Sequence, residues 1–206
     1  MEKQVPIFCK NTQSYKNYPM GTTLIEVYKD LDIKTKFQVV AARVNNKMED
    51  LNFELFKPKD IDFIDVASSS GMRVYVRSLI MVFYKAIEDL FPNASLRVQH
   101  PISKGYFCKI SKPGHSFTPE DIALIKTRMR EIIYLNLPFH KEEKQSKDVI
   151  DMFAKRGMKD IVILLKSFGD SYSEYYRLGE TVDYYNGVLV PSTGYLYLFD
   201  LVPYFD

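Results

Sequence analysis

Arg77 and Met81 stand four residues apart in the run VYVRSLIMVFYKAIEDLFP, residues 74–92, which reads as one amphipathic helix. Side chains at that spacing point the same way, which is where a metalloenzyme places a pair of ligating histidines. Neither residue found here does that chemistry. A guanidinium is permanently cationic and neither a ligand nor an ordinary base, and a thioether transfers no proton. The three histidines, His100, His115 and His140, share neither a helix nor a short ligand motif. Even with Cys108 between the first two they fall short of a metal-site pattern, so no metal is expected. Cys9 and Cys108 could form at most one bridge, and their wide separation gives no disulfide framework. No phosphate loop of the form G-x-x-x-x-G-K-[ST] occurs in the chain.

The elements that must position these residues belong to a chain of ordinary globular composition. Of 206 residues, 46% are hydrophobic and 26% charged, enough for one large domain or two small ones, each able to bury a core. Twenty-eight basic against 26 acidic residues give a net charge of +2, so no global field pulls the protein onto nucleic acid or anionic lipid, and any RNA contact must be local. The start, MEKQVPIFCK, lacks the apolar h-region of a signal peptide, and no later stretch approaches a membrane span. A soluble, cytoplasmic protein without membrane contact is expected.

The first sixty-odd residues read as a small mixed fold. QVPIFC is a strand, YPMG a turn, and Thr22 or Thr23 caps a short helix whose Leu24, Val27 and Leu31 share one face. FQVVAARVNNKMEDL is a β-rich run folded at Asn45-Asn46, and DIDFIDV alternates as a closing strand with Ile61 and Phe63 on one side. That order is the order of a β-grasp fold. ASSSGM, residues 67–72, marks a boundary. In the helix that follows, Val76, Leu79, Ile80, Phe83, Ala86, Ile87 and Leu90 form the expected core stripe, with Val74, Arg77, Met81 and Tyr84 on the other side. A hairpin around Lys104-Gly105 comes next, then a helix opened by Thr118, Pro119, Glu120 and Asp121, then a third from a Ser146 cap to Gly157. The remainder, from DIVILL to GYLYLFDLV, reads mostly as strand. The fold class is therefore α+β.

Two resemblances cover nearly the whole chain. Residues 1–66, through YPMGTTLIEVYKDL and VVAARVNNKMEDLNFEL, resemble a TGS domain, the ubiquitin-like module of threonyl-tRNA synthetases and some GTPases. Residues 67–206 resemble the editing domain of threonyl- and alanyl-tRNA synthetases, the second additional domain, through VYVRSLIMVFYKAIEDLFP, PISKGYF, FTPEDIALIKTRMREIIYLNLPF and VDYYNGVLVPSTG. The resemblance implies helices packed on a mainly antiparallel sheet.

Active editing domains carry His-Ser-x-x-His on the helix and Cys-x-x-x-His in the last motif, groups that converge on a cleft, can bind zinc and hydrolyse a mischarged aminoacyl ester. Here RSLIM and YNGVL stand in those places, so Arg77, Met81, Tyr185 and Leu189 replace the four ligand-type residues, while Ser78 and Asp183 keep the pattern. A lysine of the family near GMKDIVILL falls on Ile161. The resemblance thus implies an editing scaffold without catalytic residues. Its degenerate cleft, lined by Arg77, Ser78, Met81, Asp183, Tyr185 and Leu189, would suit a nucleotide or small anionic ligand, with a stacking surface from Tyr185, Tyr184, Tyr175 and Tyr176. The same pair of modules also resembles the N-terminal half of bacterial uridine-kinase-like nucleoside kinases, whose editing motifs are degenerate too. The chain stops at DLVPYFD, directly after an expected strand, as if cut before a further domain. The resulting expectation is a regulatory or ligand-binding region with no cofactor of its own, partnered by a following kinase-like domain that uses ATP and magnesium. The alternative is a threonyl-tRNA synthetase-related fragment acting in tRNA binding or aminoacyl-tRNA editing, and a further rival is a plain RNA-binding module, favoured if Lys104, Lys109, Lys112 and Arg128 gather on one face.

Overall fold

The computed structural model describes residues 3–103 and 105–204, and the chain divides into two compact units, residues 1–138 with 187–206, and residues 139–186. Lys104 lies outside the described residues. The architecture is α+β.

In the first unit, β1 (Gln4–Cys9), β2 (Ser14–Pro19) and β3 (Thr22–Thr23) lead into α1 (Leu24–Asp30), followed by β4 (Val39–Val44), β5 (Lys47–Glu49), β6 (Glu54–Leu55) and β7 (Lys59–Asp65). The sheet order is β2-β1-β7-β4-β5, with β1 and β7 parallel at its centre and the other pairs antiparallel. This is the β-grasp arrangement, and its local causes are visible in the sequence. Thr23 and Glu26 close a capping box, with the Thr23 amide donating to Glu26 Oε2 at 2.8 Å. Asn45 and Asn46 take φ of 46° and 69°, the left-handed pair that a two-residue hairpin requires. Leu24 and Val27 bury one face of α1 against Ile7, Leu51, Leu55 and Ile61.

The helix α2 (Ser69–Leu90) starts from Ser68, whose Oγ accepts from Gly71 N at 3.0 Å. It packs against β4 and β7 so closely that a Cβ on Gly71 would sit 1.9 Å from the Asp65 carbonyl oxygen. The expected core stripe of α2 holds for Phe83, Ala86 and Ile87, which are buried, and is corrected elsewhere by this seating. Val74, Ser78, Met81 and Val82 are buried, whereas Val76, Leu79 and Ile80 are half-buried and line a groove of about 1210 Å³ with residues from the following hairpin and from 197–204. Helical period alone gives the width of an apolar stripe but not its centre when the helix is apolar on most sides.

The hairpin is β8 (Ser95–Ile102) paired with β9 (Gly105–Ser111), and α3 (Pro119–Tyr134) follows with the capping box of Thr118 and Asp121. Its Arg128 grips Asp89 of α2 through Nε and Nη2, at 3.0 and 2.8 Å, and also reaches Glu131. The segment GYLYLFDLV, expected as strand, begins within a 3-10 turn at Thr193–Tyr195 and is otherwise irregular. An alternating pattern makes a strand only where another strand is available to pair with it.

The second unit contains β10 (His140–Gln145), α4 (Ser146–Lys155), α5 (Lys159–Phe168), β11 (Tyr172–Leu178) and β12 (Thr181–Asp183), with sheet order β10-β11-β12, all antiparallel. Ser146 is the first helical residue and not the cap, its Oγ lying 2.7 Å from Ser173 Oγ. DIVILL, expected as strand, is helical. Leu165 and the partly buried Ile161 and Val162 pack with Val149, Phe153, Tyr175 and Val182, and Gly169 ends the helix at φ 69°. Packing of a one-sided apolar stripe outweighs the β-branched preference of Ile and Val.

Glu142 ties this sheet together. Tyr175 Oη donates to Glu142 Oε2 and Arg177 Nε to Oε1, both at 2.5 Å, and Lys144 Nζ lies 3.4 Å away. The tyrosine hydrogen bond, followed by the arginine, lowers the Glu142 carboxyl to about 2. A depressed carboxylate stabilises the fold above its unfolded value of 4.5 and loses that contribution as pH falls toward 2. With the side chain 23% exposed, solvent screening holds the contribution to about 1–2 kcal/mol. Urea unfolding at pH 7 should therefore show Glu142→Gln less stable by about that amount, with the gap from the parent protein closing between pH 4.5 and 2. A gap that is constant with pH would exclude the ionic role.

Candidate functional site

The segment 187–196 returns to the first unit and lies along α2 and α3, and a few polar groups decide its position. Ser78 is fully buried. Its Oγ donates to the Val74 carbonyl at 2.8 Å and accepts from Val190 N at 2.9 Å, so one hydroxyl serves the helix and the returning chain. One residue earlier on α2, Arg77 donates from Nη1 to the Val188 carbonyl at 2.8 Å. Gly187 permits that approach. Its φ is +127°, and a Cβ there would lie 2.7 Å from Arg77 Nη1.

Further along, Thr193 Oγ1 donates to the Ile132 carbonyl at 2.7 Å and accepts from Leu137 N at 2.9 Å, which satisfies backbone groups at the end of α3. Asn136, at φ 50°, accepts from Ser192 Oγ and Gly194 N. The motif PSTG is thus a clamp on the C-terminal end of α3. Sequence reading quoted it only as part of a resemblance, and the useful signal was a small polar cluster directly after the apolar run VLV.

Of the six expected site residues, the first unit holds four: Arg77, Ser78, Met81 and Leu189. Met81 and Leu189 are 0% exposed, each an apolar side chain inside the packing of α2 and the returning segment. Neither has a proton to give, and complete burial keeps the Met81 sulfur from any substrate. Ser78 spends its hydroxyl on the backbone, and Arg77 anchors the turn at Gly187. The second unit holds the other two. Asp183 ends β12 with Oδ1 accepting from Tyr184 N at 2.8 Å, and the ring of Tyr185 lies 6.4 Å from that of Tyr176. Tyr175 and Tyr176 are buried, so the expected four-tyrosine stacking surface is reduced to Tyr184 and Tyr185. Ile161, in the place of the family lysine, packs against the core of its unit.

The histidines serve separate local structures. His115 Nε2 lies 2.9 Å from Asp121 Oδ2, helping the Thr118 backbone hold that carboxyl below the usual range, and His100 stacks on Phe107. His140 lies on β10 in the other unit. Among the described residues no cluster of three or more His, Cys, Asp or Glu is arranged to hold a metal ion. No helix among them is long and apolar enough to cross a membrane.

Comparison with known proteins supplies the context. No family model matches the chain. It is similar to the threonine–tRNA ligase of Syntrophomonas wolfei, 30% identical over 184 residues, which is 89% of this chain and 29% of that protein. The enzyme of the same name from Carboxydothermus hydrogenoformans is 29% identical over 188 residues, 91% of this chain and 30% of its own length, and that of Acidithiobacillus ferrooxidans is 32% identical over 164 residues, 79% and 25%. The chain thus spans less than a third of the length of the curated relatives it matches. These relatives overturn the expectation of a regulatory region in a uridine-kinase-like protein, because they are consistently threonine–tRNA ligases. The kinase-like domain expected as a partner has no support in these relatives.

Loss of the Ser78 hydroxyl should leave Val190 N buried without its acceptor. Ser78→Ala is expected to lower the unfolding free energy by about 1–3 kcal/mol, measured by urea denaturation. A change within about 0.5 kcal/mol would show that the returning segment is held by apolar packing alone.

Proposed function

We propose that this chain is a threonyl-tRNA synthetase-related protein that binds tRNA through an editing-type scaffold and does not hydrolyse the aminoacyl ester. The observation that carries this reading is the complete burial of Met81 and Leu189 at positions where active editing domains carry histidines. Similarity to threonine–tRNA ligases over most of the chain supports tRNA as the partner. Residues 1–66 and 67–206 are the proposed TGS and editing-like modules. Arg77, Ser78, Met81 and Leu189 in the first unit, and Asp183 and Tyr185 in the second, stand at the proposed positions of the editing motifs. Among them Arg77 is the fixed cation, suited to a phosphate or carboxylate, and Ser78 is the residue kept for folding.

The chemistry follows from what remains. Ester hydrolysis needs an activated water, and a water needs a base or a metal beside it. Asp183 is the remaining carboxylate of the set, and an ordinary carboxylate is a weak base near neutral pH. The scaffold therefore holds RNA by shape and charge without turning over its ester.

Fluorescence anisotropy with labelled threonine-accepting tRNA tests this directly. Binding in the range of about 1–100 μM at 0.1 M salt is expected, with mischarged tRNA hydrolysed no faster than in buffer and no zinc found by elemental analysis. Hydrolysis well above the uncatalysed rate, abolished by Asp183→Ala, would establish editing by another route. Absence of any tRNA binding would overturn the reading.

A further inference from the structure

The β8–β9 hairpin concentrates positive charge in a chain that is otherwise nearly neutral. From Leu90 to Pro119 the sequence has no Asp or Glu, yet it holds Arg97, Lys104, Lys109 and Lys112 together with His100 and His115. Removing those four cations leaves 24 basic against 26 acidic residues, so the excess charge of the chain resides in this one stretch. Of the four basic residues that the sequence suggested as an RNA face, Arg128 is taken by Asp89 and Glu131 and does not join them.

Placement in the ribbon makes the charge costly. Arg97 and Lys109 are directly opposite each other across the two strands, and both are exposed. Like charges in that relation repel, and among the described residues no carboxylate lies within ion-pair reach of either. The same face carries rings. Phe107 precedes Lys109 by two positions on β9, and His100 stacks on it with centroids 5.7 Å apart and planes at 34°, while Tyr204 meets Phe107 edge-on at 5.6 Å. Tyr106, beside the turn and on the opposite face of β9, is 48% exposed. No third described strand pairs with this ribbon.

A cross-strand pair of cations on a ribbon, flanked by rings and free of acidic residues, matches a polyanion whose backbone is charged and whose side groups are flat. An acidic peptide would satisfy the cations but leave the rings unused, and a lipid surface would call for an apolar face with the cations at its rim. We propose that the β8–β9 hairpin binds an unpaired stretch of RNA, with Arg97 and Lys109 on phosphates and Tyr106 and the His100–Phe107 pair against bases. This rests on the reading of the protein as a tRNA binder and adds to it the surface that does the holding.

The test measures anisotropy of labelled threonine-accepting tRNA and of a labelled unstructured 12-nucleotide RNA against four proteins. These are the parent protein, Arg97→Glu/Lys109→Glu, Tyr106→Ala, and the charge-matched control Lys29→Glu/Lys34→Glu on the exposed surface of the β-grasp module, each checked for fold by circular dichroism. The hairpin double variant should weaken both RNAs at least about tenfold and reduce the salt slope by about two, with the control within about twofold of the parent. Tyr106→Ala should weaken the single strand about fivefold or more without changing the salt slope. Equal losses in hairpin and control variants, or tRNA binding that survives the hairpin variants, would overturn the hairpin assignment while leaving tRNA binding itself intact. Hairpin-dependent binding of the 12-mer with no binding of tRNA would support the ribbon and sink the tRNA reading. Binding to phosphatidylserine vesicles, lost in the hairpin double variant, with neither RNA bound would assign the surface to lipid and overturn the proposal.

Discussion

One buried hydroxyl holds the critical junction of the first unit. Ser78 Oγ satisfies the Val74 carbonyl inside α2 and the Val190 amide in a segment more than a hundred positions later, and it does so where no water reaches. A chain returning to a helix brings backbone groups into an apolar environment, and each needs a partner at the point of contact. Arg77 at the Val188 carbonyl and Thr193 at the end of α3 complete the same task on either side. The apolar residues between them, Leu189 among them, can then pack without stranding polar backbone.

Under the proposed reading, that constraint explains which positions of an editing-type site could change. Ser78 supports the fold and stays as it is in the editing pattern. Met81, three residues on, and Leu189 are buried as well, and where side chains no longer ligate or transfer protons, burial favours apolar ones of similar bulk. Met81 and Leu189 are that outcome. Arg77 stays polar because its guanidinium reaches the turn at Gly187, where the missing Cβ leaves it room. Loss of chemistry and retention of fold are therefore two results of one packing requirement. Threonine–tRNA ligases as relatives and a scaffold without the editing groups are compatible for this reason.

Much of the fold was legible because it is written in local stereochemistry. Thr23 with Glu26, Thr118 with Pro119 and Asp121, and Asn45-Asn46 each fix a cap or turn within four residues, and each is found where the sequence indicates it. What failed depends on partners distant in the chain. DIVILL is β-branched but forms α5, and the overlooked signal was the i, i+4 pair Ile161 and Leu165 ahead of Gly169. GYLYLFDLV alternates but pairs with nothing among the described strands. Of the site, the sequence named Ser78 and Arg77, yet their structural duties follow from the return of residues 187–196, which no local pattern announces. The hairpin cations were visible as residues, but their cross-strand register was not.

Met81 and Leu189 are fully buried, and the proposed reading makes them residues required by the core and no longer vacated ligand positions. The most direct measurement is urea unfolding of the double variant Met81→His/Leu189→His with and without zinc. Two imidazoles placed among apolar neighbours without hydrogen-bond partners should lower stability by about 2–5 kcal/mol, with zinc restoring none of it. A double variant as stable as the parent protein, or one stabilised by zinc, would mean that the editing site is still open and that its loss of chemistry is not a consequence of packing.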